Sequence, residues 1–204
     1  GVKRLARVID VEARQFELVE ELVDNVELPI QVTIASGFPK GDKLEFITQK
    51  VTELGASQVW AFPADWSVAK WDGKKLGKKV EKLEKIALGA AEQSKRNRVP
   101  SIQLFEKKAD FLAQFDQFDS IVVAYEESAK EGEAAALLQA VSGLEKGAKL
   151  LFIFGPEGGL SPAEIESFEA KGAVLAGLGP RILRAETAPL YALSALSVLL
   201  ELEK

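Results

Sequence analysis

Residues 178–188 of this 204-residue chain read Leu-Gly-Pro-Arg-Ile-Leu-Arg-Ala-Glu-Thr-Ala, and they place Arg181, Arg184 and Glu186 within six residues. Fixed cations beside a carboxylate can stabilise a developing anion or position a proton acceptor. Ile182 and Leu183 are apolar and are expected to be buried, pinning the flanking charges in a partly desolvated site. A solvated loop with an ordinary Arg–Glu pair is the other reading of the same residues. Thr187 suits the N-cap of the helix that follows.

The second chemical stretch is LLFIFGPEGGLSPAEIESF, from Leu150 to Phe168. Five apolar residues end at Phe154 and suit a strand buried on both faces. Gly155-Pro156-Glu157-Gly158-Gly159 then turns the chain, and Ser161-Pro162-Ala163-Glu164 is a capping box with Pro at the first helical position. A strand, a glycine loop and a helix start present backbone N–H groups to a ligand. Neither G-x-G-x-x-G after the strand nor a P-loop signature is present, so the common nucleotide fingerprints are missing. A tight turn without a ligand remains the alternative.

Composition narrows the chemistry further. With no Cys and no His, thiolate nucleophiles, Ser-His-Asp arrangements and the usual zinc ligands are excluded. Carboxylates, Lys, Arg, Tyr and backbone groups are left, and no metal site is expected. Met is also absent and the chain opens at Gly1, which is read as a truncated N-terminus. No signal peptide and no apolar run of bilayer length is evident, so the expectation is a cytoplasmic protein without a membrane span.

The elements that must position these stretches alternate in type. Residues 1–28 carry two alternating strands, around Val2–Val11 and Gln15–Val19, too little to bury a core alone. After Pro29, strands are expected at Ile30–Ala35, Ser57–Phe62, Ile102–Phe105, Ser120–Tyr125, Lys149–Phe154 and Ala173–Leu178. Helices fall between them. One carries Leu44, Ile47, Val51 and Leu54 on one face and stops at Gly55; a basic one carries Leu76, Val80, Leu83, Ile86 and Ala90. Others span Glu133–Val141, Pro162–Lys171 and about Ala188–Leu202, the last apolar on two sides. The expectation is an α/β domain over residues 29–204 with a mainly parallel sheet and ligands at the carboxyl ends of its strands.

GPEGGLSPAE followed by LGPRILRAETA, with IALGAAEQSKRNRVP from Ile86 and QKVTELGA from Gln49, resembles the ribosomal RNA small subunit methyltransferase E family of the SPOUT superfamily. The blocks run in the family's order over about 170 residues. The resemblance implies a C-terminal trefoil knot, a homodimer and an N-terminal PUA-like β-barrel, of which residues 1–28 would be a remnant. It implies S-adenosylmethionine (SAM) as cofactor and methylation of N3 of a specific uridine in 16S rRNA, near the decoding centre of the small ribosomal subunit. The implied cofactor residues are Phe154, Gly155, Glu157, Gly158, Leu178, Gly179, Ile182, Leu183, Thr187 and Ala188, and Arg184 and Glu186 are the implied catalytic pair. Arg184 would stabilise negative charge on the uracil, while Glu186 orients Arg184 or accepts the proton.

The net charge of −5 conceals a basic stripe, since residues 70–98 hold ten Lys/Arg against four Asp/Glu. Such a stripe fits phosphate docking. The RNA-facing residues expected are Lys40, Lys74, Lys78, Gln93, Lys95, Arg96 and Arg181. Trp60 reads as core; Trp66 and Trp71, flanking Lys70, are candidates for packing or base stacking. Two other readings stay open: a ribose 2′-O RNA methyltransferase of the same fold, and a non-catalytic RNA-binding ribosome-assembly factor.

Overall fold

The computed structural model describes residues 2–23, 25–125 and 134–202. Two strands, β1 (Lys3–Asp10) and β2 (Gln15–Leu22), pair antiparallel as a hairpin whose side chains are almost all exposed. As expected of two strands alone, they bury no core of their own.

The remaining strands form one parallel sheet: β3 (Gln31–Gly37), β4 (Gln58–Phe62), β5 (Ser101–Leu104), β6 (Ser120–Ala124), β7 (Lys149–Phe154) and β8 (Val174–Ala176). Their spatial order is β5-β4-β3-β7-β6-β8. The chain thus runs outward from β3 to β5, crosses over, and inserts β7 between β3 and β6. That reversal makes the β3/β7 boundary a switch point, where α/β sheets open a crevice beyond their carboxyl ends.

Period-two alternation divides the central strands between two cores. Leu150, Phe152 and Phe154 of β7 pack with Ile34, Val59 and Val122, whereas Leu151 and Ile153 pack with Trp60, Phe62, Val123 and Phe168. A strand buried on both faces needs apolar residues at every position, which is why β7 reads as a continuous apolar run. Trp60 is buried as expected.

Helix α1 (Lys43–Glu53) turns Leu44, Ile47 and Val51 inward and packs on the long basic helix α2 (Gly73–Gln93), whose buried residues are Leu76, Leu83, Ala87, Ala90 and Ala91. Val80 and Ile86 of α2, expected inside, are only half-buried. A short helix α3 (Lys108–Leu112), which periodicity did not reveal, brings Phe111 into the aromatic core beside a 3-10 turn at Phe115–Gln117. Five residues are too few to establish a 3.6-residue period.

Helix α4 (Ala134–Ser142) follows; Glu133, expected to start it, lies outside the described residues. Helix α5 (Pro162–Glu169) and helix α6 (Ala188–Ser197) complete the fold, and α6 continues as a π-helical turn over Val198–Leu202. Pro189, Ala192, Leu193 and Leu196 form its buried face. The opposite face, expected to be covered as well, leaves Tyr191 and Val198 exposed in the single chain. Among the described residues no helix is long and apolar enough to cross a membrane.

Candidate functional site

A cleft of about 700 Å³ opens beyond the carboxyl ends of β6, β7 and β8. Ala124 ends β6 and Tyr125 follows it, Phe154 ends β7 and residues 155–160 follow it, and Leu178, Gly179 and residues 181–185 follow β8; all line the cleft, with Ala188 and Pro162 from helix starts and Lys43 from α1. It lies on the β7–β6–β8 side of the switch point, reached from beyond β3 by Lys43, and its size is that of a small-molecule site.

The glycine loop owes its shape to close backbone packing. A Cβ on Gly155 would stand 2.9 Å from the carbonyl carbon of Gly159, so the turn can fold back on itself only with glycine there. The Gly159 N–H donates to the Pro156 carbonyl at 2.9 Å and closes the turn. Helix α5 then begins with the expected capping box: Glu164 N–H donates to Ser161 Oγ at 3.2 Å, and Ser161 N–H donates to Glu164 Oε2 at 2.9 Å. Glu164 is 1 % exposed, and its other oxygen accepts from Asp65 N–H at 2.9 Å and pairs with Lys108 at 2.7 Å. The buried charge is therefore fully partnered, as burial demands.

Lys43 joins the two loops that sequence reasoning singled out. Its Nζ lies 3.0 Å from Oε1 of Glu157 in the glycine loop and 3.0 Å from Oε2 of Glu186 ahead of α6. The contact with Glu186 is one of charge, since that oxygen has no aligned hydrogen-bond donor. Glu157 also accepts from the Lys40 backbone N–H at 3.1 Å. Burial works to raise both carboxyls, but each one's own backbone N–H and Lys43 outweigh it and hold them below their ordinary value. The charge of Arg184 adds to the effect on Glu186. Glu157, followed by Glu186, in turn raises Lys43. Glu186 was expected to orient Arg184 or accept the proton; its ion pair is with Lys43, a residue that sequence reasoning did not select because its partners lie in distant loops.

Of the expected cofactor residues, Phe154, Gly155, Glu157, Gly158, Leu178, Gly179, Ile182, Leu183 and Ala188 line the cleft, as do Arg184 and Arg181. Thr187 does not line it; it occupies the N-cap position of α6 without a side-chain cap bond. Ile182 is 76 % exposed, contrary to the burial expected of it, because it projects at the open mouth of the cleft.

Among the expected RNA-facing residues, Lys40, Lys74, Lys78, Gln93 and Lys95 are exposed. Arg96 corrects that set. Lys95 takes a left-handed conformation, φ 58°, at the end of α2, which turns the chain so that the Arg96 side chain points inward and is 2 % exposed. Its guanidinium pairs with Glu27 and donates to the carbonyls of Thr52 (2.9 Å) and Ala56 (2.7 Å). Arg96 caps the carbonyl end of α1, a favourable place for a cation, and is not available to a phosphate. Trp71 packs against Phe38, ring centroids 4.3 Å apart and tilted by 31°, and lies under Lys79, so it is packed rather than presented.

The family model described as an RNA methyltransferase domain matches residues 26–197. Ribosomal RNA small subunit methyltransferase E of Bacillus subtilis is 55 % identical over 185 residues, covering 91 % of this chain and 72 % of that protein. The crystal structure of a ribosomal RNA small subunit methyltransferase E from Neisseria gonorrhoeae bound to SAM is 27 % identical and superposes with a TM-score of 0.79 over 98 % of this chain and 79 % of that one. A putative methyltransferase from Legionella pneumophila, in complex with SAM, is 27 % identical with a TM-score of 0.74 over 95 % and 77 % of the two chains.

Proposed function

This chain belongs to the RNA methyltransferase family of the ribosomal RNA small subunit methyltransferase E type, and from that premise we propose that it methylates N3 of a uridine in 16S rRNA with SAM as donor. The observation that carries the reading is the cleft beyond β6, β7 and β8, where the glycine loop, aliphatic walls and Arg184 converge.

The residues present fit the donor. Leu178 and Leu183 offer aliphatic cover for an adenine, the loops around Gly155 and Gly179 offer backbone groups that can read its edge, and the volume is that of a ligand site. When bound, SAM supplies a methyl group on a sulfonium, an electrophile that asks chiefly for in-line approach. The protein's task is to hold the uracil and manage its N3 proton.

Arg184, exposed at the cleft, stabilises the negative charge that develops on the uracil as that proton leaves. Glu186 is a weak proton acceptor because its carboxyl is held below the ordinary range. Its fitting role is to position Lys43 and add to the field around Arg184. Lys74 and Lys78 at the start of α2 dock rRNA phosphates, with Lys40 and Arg181 beside the cleft, while Gln93 and Lys95, at the other end of α2 by the amino ends of the strands, meet more distant phosphates.

In this reading the glycine loop and residues 178–188 form a deep trefoil knot, supported by the family match. Residues 1–28 contribute to a PUA-like barrel that docks RNA, supported by the exposed hairpin. The exposed face of α6 seats a second copy in a homodimer, and the protein works in the cytoplasm on the small ribosomal subunit. Incubating unmethylated 30S subunits with SAM, followed by nucleoside mass spectrometry, tests the proposal. N3-methyluridine is expected; a ribose-methylated nucleoside, or no modification, would overturn it.

A further inference from the structure

Three aromatic side chains line the cleft: Phe154 is buried, Tyr125 is half-buried, and Trp66 is 49 % exposed. A large exposed indole beside a ligand cleft, on a loop between β4 and α2, is worth explaining only if the loop is rigid. It is. Asp65, the preceding residue, donates its backbone N–H to Glu164 at 2.9 Å, accepts from Ser161 Oγ at 2.6 Å and pairs with Lys108. Ser67 N–H closes the turn onto the Ala64 carbonyl at 3.0 Å.

Trp66 is also fitted to the glycine loop. A Cβ on Gly158 would stand 3.0 Å from Trp66 Cβ and 3.2 Å from its carbonyl oxygen, so the second glycine of the loop is the residue that lets Trp66 seat there. The ring passes near Gly159, whose added Cβ would stand 3.9 Å from it. The capping box of α5, the Asp65 clamp and Gly158 thus converge on one aromatic platform at the rim.

We propose that Trp66 is a stacking subsite for the face of an unstacked nucleobase. N3 of uracil lies on its base-pairing edge, so the base must be unpaired and drawn out of its stack before it can react, which costs energy. A preordered indole at the cleft rim restores a stacking partner at little entropic cost. The inference rests on the reading of the cleft as an RNA-methylation site, and it assigns the platform to the RNA rather than to the adenine of the donor, because Leu178 and Leu183 already offer the adenine aliphatic cover.

The test compares Trp66→Ala and Trp66→Phe with wild type in three measurements: thermal midpoint, SAM affinity by calorimetry, and kcat/KM on unmethylated 30S subunits. Trp66→Ala is expected to lower kcat/KM roughly 5- to 100-fold, with SAM affinity within about twofold and Trp66→Phe restoring most of the loss. Unchanged kcat/KM, or a loss that falls on SAM affinity, would overturn the assignment, as would a Trp66→Phe variant of native thermal midpoint that recovers nothing. A wild-type protein that methylates no subunit would instead refute the underlying function.

Discussion

Lys43 and Glu186 sit 3.0 Å apart, although one begins the first helix of the sheet domain and the other precedes the last. With Glu157 on its other side, Lys43 ties three segments into one wall of the cleft. Replacing it with Ala should leave the thermal midpoint nearly unchanged, because a partly exposed ion pair contributes little to stability. The cleft should suffer instead: two uncompensated carboxylates would repel and part the loops, weakening SAM affinity by about tenfold. Calorimetry with Lys43→Ala and Lys43→Met checks this, both variants being expected to weaken together.

Arg96 and Glu27 make the opposite prediction. Their pair is buried, and Arg96 also satisfies carbonyls at the end of α1. Arg96→Ala should cost about 3 kcal/mol, a fall of roughly 10 °C in thermal midpoint, while the exposed basic face of α2 is untouched.

The same pair sets an acid limb. Burial tends to raise the Glu27 carboxyl, but the bond and charge of Arg96 with the N–H groups of Asn97 and Arg98 hold it below its ordinary 4.5. A carboxyl depressed in the folded state stabilises the fold above its unfolded value and loses that contribution as pH falls through the folded value. Wild type should therefore lose stability below about pH 4.5, and Glu27→Gln should flatten that slope in chemical denaturation measured across acid pH.

Local rules made much of this legible. The continuous apolar run of β7, the capping box at Ser161 and the turn demanded at Gly155 each follow from a few adjacent residues, and each is present. What escaped were relations between distant segments. Arg96 reads as one more cation in a basic stripe until the left-handed Lys95 turns it toward Glu27. Lys43 carries no signal until β3, β7 and β8 bring their following loops together. Ile182 reads by its type as core, yet the edge of a cleft leaves it exposed.

Arg184 separates binding from chemistry. It lines the cleft but has an exposed side chain, so its removal should cost little stability. Arg184→Ala is expected to reduce kcat on 30S subunits by about 100-fold while SAM affinity stays near that of wild type. Single-turnover methyl transfer with saturating SAM reads the difference, and an unchanged rate would remove Arg184 from the mechanism.

Calorimetric titration of SAM into wild type and Gly155→Ala bears most directly on the site itself. A Cβ at Gly155 would force the turn away from Gly159 and Leu160. The account predicts saturable binding to wild type and a loss of at least about tenfold in the variant, which remains folded by circular dichroism. A titration without heat in wild type, or equal affinity in the two proteins, would contradict the assignment of this cleft to SAM.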